Sequence, residues 1–189
     1  MRRIAIVALA LAASCASPGN QIELHGALRS LDGGDWSPVE EQGTLGLAFV
    51  HEAPGSVVGV EAQAFVSERT EDDFSASPTT VVDARGRTRE LCFGLHKSLP
   101  VQYEGVHPYL GGGFSLLRAE LRGASGTEEV EEDDDSAGLY LHGGVEFDFT
   151  PNLFLGLDLR GRAGQKVELL DDDLNAYYGQ VAIVLGVRL

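Results

Sequence analysis

Leu139-Tyr140-Leu141-His142-Gly143-Gly144-Val145-Glu146-Phe147-Asp148-Phe149 places an apolar residue or glycine at every odd position and a polar, small or tyrosyl residue at every even one. Thr150-Pro151-Asn152 then turns the chain into Leu153-Phe154-Leu155-Gly156-Leu157-Asp158-Leu159-Arg160, where four leucines oppose Phe154, Gly156, Asp158 and Arg160. A period of two is that of a β-strand, because successive side chains leave on opposite sides. Two such runs joined by a three-residue turn predict a hairpin with one greasy face and one polar face.

Working outward, the same alternation appears in eight stretches between Gln21 and Leu189. Ile22, Leu24 and Leu28 share a face in the first, Leu45, Leu47 and Phe49 in the second, and Val58, Val60, Ala62, Ala64 and Val66 in the third. Leu91, Phe93 and Leu95 follow in the fourth, Leu110, Phe114 and Leu116 in the fifth, and Val181, Ile183, Leu185, Val187 and Leu189 in the last. The connections alternate between long acidic segments and short turns such as Ala53-Pro54-Gly55-Ser56. Each stretch has about ten residues, the length a tilted strand needs to cross a bilayer, and eight is the smallest strand number of bacterial outer-membrane barrels. The predicted fold is all-β: an eight-stranded antiparallel up-and-down transmembrane β-barrel.

A period of two does not say which face meets lipid. The opposite face does: it carries Glu23, His25, Arg29, Glu61, Glu90, Glu146, Asp148, Asp158, Arg160 and Arg188, with glycines and tyrosines between them. A narrow lumen must be filled by interdigitating side chains that pair their charges internally, so these residues are assigned to a lumen charge network. Phe49, Phe147 and Phe149 lie on the greasy face near short turns, where an interfacial aromatic girdle is expected.

Met1-Arg2-Arg3 followed by the apolar run Ile4 to Ala13 has the form of an export signal, too short to span as a helix. Leu11-Ala12-Ala13-Ser14-Cys15 has the form of a lipobox, with Cys15 as the lipidated residue, while Ser14-Cys15-Ala16 equally fits cleavage after Ala16. The organisation read from the chain is residues 1–16 as signal, 17–20 as spacer and 21–189 as barrel domain. The other cysteine, Cys92, is expected to pack inside. A net charge of −15 makes nucleic acid an unsuitable partner. Its acids concentrate in Glu71-Asp72-Asp73, Glu128 to Asp135 and Asp171-Asp172-Asp173, read as solvated loops with weak, diffuse attraction for divalent cations. They lack the spaced ligands and turn glycine of an EF-hand, so no metal site or cofactor is expected.

Three segments resemble the outer-membrane β-barrel superfamily that includes the OmpA-type transmembrane domain and small porin-like surface proteins. They are Pro108 to Gly113, Val145 to Asn152, and the closing strand Val181 to Leu189, although that family usually ends in an aromatic residue and this chain ends in Leu189. The resemblance implies location in the bacterial outer membrane, with both termini and the short turns periplasmic and the acidic connections extracellular. In that orientation Arg85, Arg87, Arg89, Arg118 and Arg122 share the outward face at the level of the outer headgroups, where arginines bind lipopolysaccharide phosphate bidentately. Ordinary interfacial snorkelling is the simpler reading of the same residues. His96 and Ser98 share a face as a nucleophile pair would, with Glu90 as an orienter, but near the periplasmic turn, far from outer-leaflet acyl chains. The expected protein is therefore a monomeric, non-enzymatic structural or surface-interaction barrel with an unidentified extracellular partner. A small pore, a lipid-modifying barrel enzyme and a lipid-anchored lipocalin-like barrel are the alternatives.

Overall fold

The computed structural model describes residues 19–31, 36–37, 39–77, 80–125, 128–169 and 172–189. The segment read as an export signal, with Cys15, and residues 17–18 of the expected spacer lie outside them. Eight strands close into a barrel: β1 (Asn20–Leu31), β2 (Glu41–His51), β3 (Gly59–Ser77), β4 (Thr80–Ser98), β5 (Val106–Ser125), β6 (Glu128–Asp148), β7 (Leu153–Gly164) and β10 (Tyr178–Arg188). The short strands β8 (Val167–Leu169) and β9 (Asp172–Leu174) form a separate hairpin between β7 and β10. Every strand pairs antiparallel with its sequence neighbours around the ring, and β1 closes it against β10, Leu24 opposite Leu185. Within the barrel wall, closure leaves each strand paired on both sides.

The two ends differ more than the sequence indicates. At one end lie the chain termini of the barrel and the short turns 52–58, 99–105 and 149–152. At the other, β3 and β4 have 19 residues each and β5 and β6 have 20 and 21, about twice what a bilayer needs. The acidic runs expected as loops are therefore largely strand: Glu71-Asp72-Asp73 falls in β3, Glu128 to Asp135 opens β6, and Asp172-Asp173 opens β9. The hydrophobic alternation stops near Leu116, but backbone pairing does not. Arg118 still faces Asp135 and Arg122 faces Glu131, because ladder hydrogen bonds carry the pairing upward, with charged residues on the outer face while Leu117, Ala119 and Leu121 pack inward against the structure that covers the mouth.

The sidedness follows the sequence expectation. Leu24, Leu47, Phe93, Phe114, Leu141, Leu157 and Ile183 all point outward and are exposed, forming an apolar belt around the barrel. Inside, charged and polar residues are as buried as the aromatics, and the far mouth is covered by a hydrophobic cap. Trp36 from the β1–β2 connection packs with Val167 of β8, Leu174 of β9 and Ala176 over Leu31, Leu117, Ala119 and Tyr178. The Trp36 indole N–H is satisfied by the carbonyl of Asn175 at 2.8 Å. A loop tryptophan with no periodic neighbours carries no signal of this role in the sequence.

Candidate functional site

The lumen is a stack of hydrogen-bonded layers. Beneath the cap, Arg29 is fully buried and donates to Glu90 at 2.8 Å, Gln180 at 3.1 Å and Thr88 at 3.1 Å, with its guanidinium 3.9 Å from the Tyr178 ring centroid. Tyr178 on β10 donates to Glu90 on β4, the strand opposite it in the ring, at 2.6 Å. Arg162 donates to Ser115, the Ala176 carbonyl and Ser136, tying the cap to the barrel wall. Extending the alternation of Asp158 and Arg160 by one step identifies Arg162 as inward, a residue the sequence reading left out.

One layer lower, Arg160 on β7 donates to Gln63 on the opposite strand β3 and to the Sγ of Cys92, and lies over Phe65 and Tyr140. Cys92 is a buried free thiol, as expected of a small interior residue. Within the assigned charge network Asp158 is held by Tyr109 Oη at 2.7 Å and faces His142 Nδ1 at 2.7 Å.

Nearer the short turns, three strands converge on a histidine–carboxylate cluster. Glu61 of β3 lies 3.0 and 3.1 Å, through its two oxygens, from His142 Nε2 of β6, and 3.3 Å from His96 Nδ1 of β4. Tyr140 donates to Glu61 at 2.6 Å, and His96 stacks on Tyr109. At the bottom His25 meets Glu23 at 2.9 Å, while Arg188 bridges Glu146 and Asp148. Of the ten assigned network residues, Glu23, His25, Arg29, Glu61, Glu90, Glu146, Asp158 and Arg160 are buried, and Asp148 and Arg188 are partly exposed at the turn end. The His96 and Ser98 pair does not form: Ser98 Oγ donates to Glu52 at 2.8 Å while His96 faces Glu61.

Glu52, in the β2–β3 turn, fastens that turn to the end of β4. It accepts from Lys97 Nζ at 2.6 Å and from the Ser98 backbone N–H at 3.0 Å. Burial pushes its carboxyl upward, but the hydrogen bonds from Lys97 and Ser98 outweigh it and hold the group below its ordinary range.

On the outer surface the five arginines sit where the sequence places them, on adjacent strands above the apolar belt. They are not alone there. Arg85 pairs with Glu68 at 2.6 Å, Arg87 lies 3.8 Å from the same carboxylate, and Arg89 pairs with Glu120 at 3.0 Å. Arg118 engages Asp133 and lies 3.7 Å from Asp135, and Arg122 borders a small recess with Arg85, Arg87 and Glu120. The sequence reading separated these bases from the acids, because it placed Asp133 and Asp135 in a loop. Below Arg89 and Arg118 an open groove of about 670 Å³ runs over Ala64, Val66, Leu91, Leu116 and Ala137. Ala64 and Ala137 are the small outward residues of its lining.

No protein-family model matches the chain, and no curated protein matches it. Solved structures do. Neisserial surface protein A is 19% identical with a TM-score of 0.58, covering 90% of this chain and 96% of that one. Ail, the attachment invasion locus protein of Yersinia pestis, solved with the heparin analogue sucrose octasulfate, is 16% identical with a TM-score of 0.57 over 90% of this chain and 96% of its own. OprG of Pseudomonas aeruginosa is 15% identical with a TM-score of 0.52, covering 90% and 93% respectively. By strand number, closure and strand order, this chain has the eight-stranded β-barrel fold of bacterial outer-membrane proteins.

Proposed function

We propose that the protein resides in the bacterial outer membrane as a non-conducting structural and surface-interaction barrel, with its belt in the bilayer and its tall acidic hairpins outside as the contact surface. The observation that carries this reading is the inversion of burial: leucines and phenylalanines such as Leu141 and Phe114 are exposed at 69% and 72%, while Arg29, Glu90 and Asp158 are buried. Water would penalise such a belt over its whole circumference, and hydrocarbon would not.

At the upper edge, Arg89 and Arg118 overhang an apolar groove of acyl-chain character. A lipopolysaccharide phosphate can replace their carboxylate partners, and the groove below can receive a chain. The neighbouring Glu68, Glu120, Asp133 and Asp135 lower the net attraction, so the contact is modest. Exposed pairs of this kind contribute about 0–1 kcal/mol each. The experiment is fractionation, followed by gel mobility before and after boiling and by lipopolysaccharide co-purification with Arg87, Arg89 and Arg118 replaced by glutamine. Outer-membrane recovery with heat-modifiable mobility is expected, together with less bound lipopolysaccharide in the triple variant. Recovery in the soluble periplasmic fraction overturns the membrane reading, and an unchanged lipopolysaccharide complement removes the arginine contact.

A further inference from the structure

Glu61, His96 and His142 come from β3, β4 and β6, and each can bring one ligand atom to within 4.8 Å of the others, with all three side chains buried. The two Glu61 separations are close to metal geometry. Two ligand atoms bound at about 2.0–2.1 Å to a tetrahedral ion lie roughly 3.3 Å apart, and Glu61 Oε2 is 3.3 Å from His96 Nδ1 and 3.1 Å from His142 Nε2. The outer partners are those a metal site requires. Asp158 holds His142 Nδ1 at 2.7 Å, which turns Nε2 toward Glu61, and Tyr109 in turn donates to Asp158 at 2.7 Å. Such carboxylate–histidine contacts fix the tautomer and aim of a ligating imidazole. Tyr140 orients Glu61 in the same way.

Charge points in the same direction. Among the described residues neither Glu61 nor Asp158 makes an ion pair with arginine or lysine; their charged partners are His96 and His142. The lumen arginine Arg160 donates to Gln63 and Cys92 instead. Two buried carboxylates are costly without compensating positive charge. With Nδ1 facing Asp158, the Nε2 of His142 is aimed at Glu61, so the pair converges on one point between them. A Cβ at Gly111 would fall 2.2 Å from His142 Nε2 and 2.9 Å from Glu61 Oε2, so only glycine on that wall permits these two ligand atoms to converge.

We propose that Glu61, His96 and His142 form a binding site for a divalent transition-metal ion of the zinc class inside the barrel, with Asp158 and Tyr140 as positioning residues. Two imidazoles and one carboxylate suit Zn²⁺ or Co²⁺ better than Ca²⁺ or Mg²⁺, which take oxygen ligands, and three protein ligands leave one position for water. The ion would enter during assembly from the short-turn end, since His96 lies two residues before the end of β4.

The test uses the full barrel, unfolded with chelator, refolded in detergent with Zn²⁺ or without, desalted and assayed for metal. Wild type and a control lacking the two partly exposed histidines of the turn end, His51→Gln/His107→Gln, should each retain about one Zn²⁺ per chain and unfold at higher temperature with it. His96→Gln and His142→Gln should retain essentially none, and Asp158→Asn should bind ~10–100-fold more weakly. Co²⁺-loaded wild type should show intense visible bands of low coordination number, and zinc X-ray absorption should show two imidazoles, a reading that stands if the variants fail to fold. Wild-type protein that retains no more Zn²⁺ than His96→Gln, Co²⁺ bands as weak as those of the aqueous ion, or binding lost in the His51/His107 control would overturn the site.

Discussion

At the scale of single residues, the narrow lumen is built from pairs in which one strand gives up a side chain and its neighbour supplies an aromatic ring. Gly46 is in register with Phe65 and Gly186 with Phe154, and a Cβ on either glycine would fall 2.3 or 2.0 Å from the partner ring. Phe65 cannot retreat, because His25 packs edge-on against it and Arg160 covers its face at 4.5 Å. Gly46→Ala should therefore destabilise the barrel by about 1–3 kcal/mol, the usual cost of overpacking. Gly26→Ala, which meets nothing within 4 Å on the outer face, should be close to neutral when both are followed by thermal unfolding in detergent. Glu52 gives a pH signature. Its folded pKa lies below the ordinary 4.5, so its contribution is complete above that value and fades as pH falls further. Wild type and Glu52→Gln should differ in Tm at pH 7 and converge in acid as the pH falls through the lowered pKa; a constant gap would mean that the Lys97 and Ser98 contacts act without the carboxylate charge.

At the scale of elements, each strand is read from two sides by two different solvents. Leu157 lies at the middle of β7 and points outward, while Asp158 beside it is fully buried. Leu157→Arg should cost roughly 2–4 kcal/mol of insertion free energy, as for arginine at the midplane of such barrels. Leu157→Ala, which keeps the face apolar, should assemble; heat-modifiable mobility separates the two outcomes. The tall hairpins behave differently, because their pairing stands above the belt. Joining Leu121 to Glu132 by a two-residue Asn-Gly turn preserves the observed register, in which these two residues face each other. The shortened barrel should still fold and insert, and should lose only contacts made by the β5–β6 tip. Failure to assemble would show that the tip helps to register the strands below it.

At the scale of the whole molecule, hydrogen bonds run across the full width of the lumen, Tyr178 to Glu90 and Arg160 to Gln63, so opposite walls share one network. Planar-bilayer recordings should show no steady conductance from the wild-type barrel. Arg29→Met takes from Glu90 its 2.8 Å partner but leaves Arg162 at 3.4 Å, so the loss should fall below the about 3–5 kcal/mol of a fully broken buried pair. Arg29→Met/Glu90→Leu also takes the carboxylate from Arg162 and Tyr178, so it should recover only part of that loss in the same unfolding assay. Equal damage from the single and double variants would mean that Arg29 acts through Thr88, Gln180 and Tyr178 rather than through the ion pair.

The sequence by itself determined the strand number, the meander order and the face each barrel residue takes, because a period of two repeated eight times admits only one closed sidedness once the polar face proves too glycine-rich and too charged for solvent. Pairings inside the lumen were decided by tertiary structure alone. Alternation says that Glu61, His96, His142 and Asp158 point inward, but strand stagger decides that three strands bring them to one level while Arg160 goes to Gln63. The extended hairpins, the Trp36 cap and the carboxylates among the surface arginines were hidden for a related reason. Where a ribbon rises beyond the apolar belt, or a loop folds over a mouth, the belt's period no longer marks the position, and only the ladder and the packing fix it.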